Sequence, residues 1–298
     1  MFKRGLIVLA VFMFAVSAFA GGGKNSIQIK GSDTMVNLAQ AWAEKYMQEN
    51  PGDFVAVTGG GSGTGLSSLI SATSDIVMSS RNIKDKEIAL AKQKGINPFE
   101  IKVALDGLAV VVNPANPVSK LTLDQLAGIF TGSISNWKEV GGKDEKIVIL
   151  SREVNSGTHV YFKEHVLRKD RADGKEEFAP GALLLSSSQA IADEVAGNSA
   201  AVGYYGMGYI SNKQKAISVA KDDKPEGYGL ASSSQSHKPE YINPAIGNVL
   251  SGKYPISRPL FLYTNGEPQG LIKKFIDYAL SKEGQDIVVK TDFVPIKK

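Results

Sequence analysis

The stretch Thr58-Gly59-Gly60-Gly61-Ser62-Gly63-Thr64-Gly65-Leu66 narrows the choice of fold more than any other part of the chain. Five glycines within positions 59 to 65 let the backbone take φ > 0 and approach a ligand closely. The apolar run Phe54-Val55-Ala56-Val57 before it reads as a strand, and Leu66, Leu69 and Ile70 after it recur at helical spacing. A strand, a glycine turn and a helix start together gather free N–H groups at one helix N-terminus, which suits an anion. Three familiar motifs fail here. A P-loop needs lysine where Leu66 stands, a dinucleotide fingerprint needs glycine at Thr64 or Leu66, and an esterase elbow centred on Ser62 needs glycine at Thr64. Taken by itself, the stretch also fits a flexible turn with no ligand.

The same unit recurs on both sides. Ile27 and Ile29 alternate with polar neighbours and lead into Gly31-Ser32-Asp33-Thr34. Met35, Leu38, Ala39, Trp42 and Tyr46 then form one helical face, which Ser32 or Asp33 is expected to cap. A third unit runs from Ile76-Val77-Met78 through Ser79-Ser80-Arg81 into a helix over 85–94, closed by Gly95. Strands alternating with helices predict a parallel-rich α/β sheet. A long apolar run over 101–112, broken by Lys102 and Asp106-Gly107, stops at Asn113-Pro114 and reads as a crossover between two lobes. Thr122 and Gln125 make a capping box for a helix over 123–130. A strand over 146–150 empties into Ser151-Arg152-Glu153-Val154-Asn155-Ser156-Gly157-Thr158 and a helix. Further on, 186–197 reads as a helix and 200–205 as a buried strand. A late strand over 258–263 returns the chain to the first lobe, and two helices, over 268–280 and 282–289, close it.

Lys3 and Arg4, an apolar run over 6–16 and Ala18-Phe19-Ala20 form an export signal, so residues 1–20 are expected to be removed. The chain has no cysteine, which excludes disulfides, thiolate chemistry and a lipid-anchor cysteine; the periplasm is the expected compartment. The formal charge is +4, of which Lys3 and Arg4 carry two, and no basic tract with interleaved aromatics occurs, so nucleic acid is not expected as a partner. His159, His165 and His237 lack metal-ligand spacing, and His159 reads as a helix-surface residue rather than a base for Thr158. No catalytic residue, metal or cofactor is expected.

Four turns share one character: 31–34, 59–65, 79–81 and 152–158 each follow a strand and precede a helix. They offer hydroxyls and free N–H groups, and two add a guanidinium. Ligands of open α/β sheets sit beyond the carboxyl ends of the strands, and an arginine fork suits two oxygens of one anion. If the turns converge, they make a donor-rich site for a compact oxyanion.

Taken in order, these stretches resemble the PstS-type phosphate-binding proteins, the substrate receptors of ABC phosphate importers. The likeness covers the whole mature chain and is carried by 31–34, 59–65, Met78 to Arg81 and Asp106 to Asn113. It continues through Ile129-Phe130-x-Gly132-x-Ile134-x-x-Trp137, Arg152 with Ser156-Gly157-Thr158, and Ala201-Val202-Gly203-Tyr204. The resemblance implies a two-lobed type II periplasmic-binding fold, each lobe a mixed, mostly parallel sheet flanked by helices. Residues 21–112 with 254–298 would form the first lobe and 113–253 the second. It implies a monomer that binds inorganic phosphate and delivers it to the permease subunits of the importer. Thr34, Ser62 and Ser80 would donate from the first lobe, and Arg152, Ser156, Gly157 and Thr158 from the second.

The chain departs from the best-known members at Arg81, where they carry an aspartate that accepts the phosphate proton and repels sulfate. Either Arg81 pairs with a carboxylate away from the ligand, or it adds positive charge to the site while Asp106 or Asp33 takes over as acceptor; Arg81 and Asp106 are therefore included among the candidate ligands. Buried in an apolar run, Asp106 must have a partner. Receptors for sulfate or molybdate are the rival within the binding class. A secreted phosphatase and an adhesin that keeps the binding fold are the rivals outside it.

Overall fold

In the computed structural model, residues 25–221 and 239–296 are described. The export signal, His237 and most of the polar stretch between 220 and 240 lie outside them. The predicted alternation of strands and helices is observed: β1 (Ser26–Gly31), α1 (Val36–Glu49), β2 (Phe54–Thr58), α2 (Ser62–Ile70), β3 (Ile76–Ser79), α3 (Asp85–Gln93) and the long β4 (Pro98–Val112). The chain continues through β5 (Lys120–Thr122), α4 (Leu123–Thr131), β6 (Val148–Arg152), α5 (Gly157–Phe162), β7 (Leu183–Leu185), α6 (Ser188–Gly197) and β8 (Ala201–Gly206). After β9 (Lys215–Ala216), β10 (Ser218–Ala220) and α7 (Ile246–Leu250) come β11 (Ser257–Asn265), α8 (Gly270–Leu280) and α9 (Lys282–Lys290).

The principal sheet is mixed, in the order β2-β1-β3-β11-β4-β8-β6-β7, with β9 also paired to β4. Its flanks are parallel: β1 pairs with β2 and β3, and β6 pairs with β7 and β8. Its middle is antiparallel, because β11 comes back between β3 and β4. β4 is long enough to serve two partners. Residues Pro98 to Gly107 pair with β11 and residues Leu108 to Val112 with β8, so the strand changes neighbour between Gly107 and Leu108.

Two large apolar clusters lie on either side of that changeover. Ile29, Leu38, Trp42, Met78, Phe275 and Phe293 belong to one, and Val110, Phe130, Trp137, Phe162 and Tyr204 to the other. Each fully buried Leu or Phe contributes about 1.5–3 kcal/mol. The tryptophans also find acceptors for their buried N–H groups, Trp42 Nε1 donating to Gly284 O at 2.8 Å and Trp137 Nε1 to Ala200 O at 2.8 Å. Phe162 stacks on Tyr204 with centroids 3.9 Å apart, and Phe130 meets both edge-on.

Local signals behave largely as the residue types dictate. Thr122 and Gln125 form the predicted capping box of α4, and Gly95 follows α3 with φ 73°. The expected cap of α1 is not made. A 3₁₀ turn over Asp33–Met35 precedes that helix, and neither Ser32 nor Asp33 caps it. The Asp33 carboxylate is instead turned away to Gly60 N–H and Arg152.

Candidate functional site

The glycine turn positions Ser62 as the first residue of α2. Gly61 takes φ 89°, and its N–H donates to Gly31 O at 2.9 Å, which holds the turn against the end of β1. Gly63 N–H donates to Asn155 O at 2.9 Å, and the Asn155 amide returns a bond to Gly60 O at 3.0 Å. These contacts bring the turn after β2 against the turn after β6.

At their meeting point lies a set of buried hydroxyls. Ser62 Oγ accepts from Ser80 N–H at 3.1 Å and lies 3.4 Å from Ser80 Oγ. Gly157 packs directly on both serines: a Cβ at this position would stand 2.3 Å from Ser62 Oγ and 2.7 Å from Ser80 Oγ. Only glycine fits there. Thr34, after β1, and Thr158, on α5, bring their hydroxyl oxygens to 2.8 Å from one another. Ser156 caps α5, its Oγ accepting from Thr158 N–H at 3.2 Å and His159 N–H at 3.5 Å. The structure thus assembles Thr34, Ser62, Ser80, Ser156, Gly157 and Thr158.

Arg152 ends β6 and is fully buried. Its Nη2 donates to Asp33 Oδ2 at 2.9 Å and Ser186 O at 2.8 Å, Nη1 to Ser188 Oγ at 3.1 Å, and Nε to Leu185 O at 3.3 Å. Burial lowers the guanidinium's pKa and the Asp33 charge opposes that.

Two candidate ligand residues have other partners in this structure. Arg81 pairs with a carboxylate: Nη1 and Nη2 grip the two oxygens of Glu87 at 2.9 and 2.7 Å, and Nη1 also reaches Asn82 O, while Nε is buried with no partner among the described residues. The cause lies in α3, whose capping carboxylate Glu87 also accepts from Lys84 N–H and so stands fixed beside the turn. Asp106 is not a free acceptor either. Its Oδ2 takes bonds from Arg258 Nε at 3.0 Å and Nη2 at 2.9 Å, and its Oδ1 takes Met207 N–H at 3.0 Å. Burial pushes the Asp106 carboxyl up, with Arg258 and the Met207 N–H pulling it back. Both carboxylates put forward as acceptors, Asp33 and Asp106, are already paired with arginines.

Arg258 is the residue that the sequence reading missed. Its Nη2 also approaches Thr158 Oγ1 at 3.0 Å and Thr34 Oγ1 at 3.4 Å, which puts a second buried cation behind the hydroxyls. A signal was present: Asp106 demanded a partner, and Arg258 is likewise a charge in an apolar strand. The register of β4 against β11 sets the two directly opposite each other.

His159 is buried rather than on a helix surface, with Nδ1 3.3 Å from Ser151 Oγ and its ring against Phe178. Burial pulls its pKa down to about 4, so it is neutral at pH 7. Thr158 Oγ1 is bonded to Thr34 and Arg258, not to this imidazole. Among the described residues, no group of three or more His, Cys, Asp or Glu could hold a metal ion.

A family profile described as a PBP superfamily domain matches residues 18–283. The chain is 33% identical to the phosphate-binding protein PstS of Bacillus subtilis, over 98% of this chain and 93% of that protein. It is 30% identical to the phosphate-binding protein PstS of Pseudomonas aeruginosa, over 93% of this chain and 85% of the relative. A solved structure from Clostridium perfringens, described as a phosphate ABC transporter substrate-binding protein with bound phosphate, aligns at a TM-score of 0.77 and 34% identity. That alignment covers 92% of this chain and 100% of the other.

Removing one partner of the Asp106–Arg258 pair leaves the other charge buried alone. Asp106→Asn is expected to lower stability by about 3–5 kcal/mol, read by urea denaturation; a midpoint like that of the wild type would contradict the pairing. For His159 the folded pKa lies below the ordinary 6.5, so the unfolded chain takes up the proton first as pH falls. Stability is then lost from about pH 6.5 down to about pH 4, at up to about 1.4 kcal/mol per pH unit. Thermal melts at pH 7 and pH 4.5 should show a smaller loss for His159→Gln than for the wild type.

Proposed function

Since the chain belongs to the PstS family of phosphate-binding proteins, we propose that it is the substrate receptor of an ABC phosphate importer and binds inorganic phosphate without converting it. The observation that carries this reading is the set of buried hydroxyls drawn together from the turns after β1, β2, β3 and β6, with Arg152 linked to the same turns through Asp33. A small tetrahedral anion needs many short donors from several directions, and such turns supply them.

In this reading Thr34, Ser62, Ser80, Ser156, Gly157 and Thr158 donate to the phosphate oxygens and Arg152 supplies a charge-assisted bond. The bonds described above use four of the five N–H groups of Arg152, so an anion can take the fifth, on Nη1, and a two-oxygen grip would require it to displace a present partner such as Asp33. Residues 21–112 with 254–298 act as one lobe and 113–253 as the other, and the changeover in β4 lies where the lobes join. In support, Thr34 and Thr158 lie within hydrogen-bond distance across this boundary, as do Asn155 and the glycine turn. These contacts close the two faces on each other, so the lobes must part to admit a ligand. In the same reading, the export signal over 1–20 sends the receptor to the periplasm, where it works as a monomer with the permease subunits.

Calorimetric titration with inorganic phosphate tests the reading, with sulfate, molybdate and arsenate as competitors. Phosphate should bind and sulfate and molybdate should fail to displace it; the absence of phosphate heat, or tighter sulfate or molybdate binding, would overturn it. Arg152→Ala should weaken phosphate binding at least tenfold, since a charge-assisted bond to a desolvated anion is worth about 1.5 kcal/mol or more. An unchanged dissociation constant would remove Arg152 from the site. If the lobes part in solution, X-ray scattering should show a smaller radius of gyration on adding saturating phosphate; superimposable curves would count against lobe motion.

A further inference from the structure

We propose that Arg258 is a positioning residue of the anion site, holding the hydroxyl oxygens of Thr34 and Thr158 as acceptors so that both hydroxyl protons are aimed at the bound oxyanion. This rests on the phosphate-receptor reading and adds to it a residue that supplies no bond to the ligand itself.

The geometry begins with Asp106. Arg258 Nε and one N–H of Nη2 converge on Asp106 Oδ2, at 3.0 and 2.9 Å, which fixes the plane and the roll of the guanidinium. The second N–H of Nη2 is then directed at the two threonine oxygens, 3.0 Å from Thr158 and 3.4 Å from Thr34. The guanidinium carbon also lies 5.5 Å from the centroid of the Tyr161 ring, whose hydroxyl is anchored to Ser257 O at 2.7 Å. The residue is thus held from two sides and has little freedom to turn towards a ligand.

A hydroxyl has one proton and two lone pairs. An oxygen that accepts from a guanidinium has its proton free for another acceptor, and the nearby cation strengthens that donor. One threonine proton bridges the 2.8 Å between Thr34 and Thr158, and the other is unclaimed among the described residues. An oxyanion reaching this point takes both protons. Without Arg258 each hydroxyl is free to rotate and accept, and a hydroxyl whose lone pairs face an anion repels it. Asp106 plays the complementary part by cancelling the charge of Arg258, so the anion meets a hydroxyl pair polarised by a neutral assembly. Nη1 of Arg258 is fully buried and has no partner among the described residues. Such an orphan donor is costly, and stability alone does not call for it.

A double-mutant cycle read by phosphate calorimetry separates this role from a structural one. Arg258→Met with Asp106→Leu removes both charges, so neither is left buried alone. It should weaken phosphate binding tenfold or more in the wild-type background, and less than threefold when Thr34→Val and Thr158→Val are already present. Equal losses in both backgrounds would overturn the positioning role, including the case in which Nη1 itself meets the anion. Full affinity in the Arg258→Met, Asp106→Leu protein would overturn any role at the site. If circular dichroism shows that this variant is unfolded, Arg258→Lys replaces it in the same cycle. The lysine keeps the charge opposite Asp106 and lacks the fork that reaches the threonines, so the same two outcomes decide. A wild-type protein that gives no phosphate heat would remove the receptor reading and this inference with it, whereas a wild type that binds with additive losses would remove the inference alone.

Discussion

The buried pair between Asp106 on β4 and Arg258 on β11 is the constraint on which much else depends. Neither charge is tolerable alone in an apolar strand, and satisfying both requires β11 to enter the sheet antiparallel to β4 and in one register. A slip of β11 by one residue would turn Arg258 to the opposite face and leave Asp106 without its partner. That register also delivers the outer end of the guanidinium to Thr34 and Thr158, which come from turns 124 residues apart. One electrostatic requirement thus helps specify the central strands of the sheet and the local order of the site.

A second pair has a different character. Arg152 and Asp33 come from the ends of β6 and β1, and Asp33 remains partly exposed while Arg152 does not. Partial exposure makes the pair easier to break than the one behind it. The two arginines therefore suit different roles. Arg258 is locked in place by its strand partner, whereas the carboxylate that faces Arg152 is open to solvent on one side.

Much of this was legible in the residues. The glycine run, the three strand–turn–helix units and the hydroxyl-bearing turns all lie near the ends of elements whose apolar periodicity is plain, and local chemistry dominates there. The Thr122–Gln125 box formed for the same reason. What escaped was the choice of side-chain partners. Arg81 and Glu87 are only six residues apart, but the carboxylate meets the guanidinium through the turn that leads into α3, which residue types alone do not fix. His159 read as a surface residue, and Phe178 from the loop after α5 and Ser151 of β6 lie against its buried ring. Asp106 was recognised as needing a partner, but no local pattern could choose among the arginines, because the choice is made by strand order.

The position of β11 has a consequence for how the chain acquires this structure. Residues 257–265 pair with 76–79 on one side and 98–107 on the other, and Trp42 of α1 is hydrogen-bonded to Gly284 of α9. The sheet half that starts near the amino terminus is therefore incomplete until nearly the whole chain has been made. Local turns and helices can form early, but the central strands close through contacts of very large sequence separation, which makes folding slow and late. A chain built in this way stays loose while it is being made and becomes rigid only when its last strand arrives.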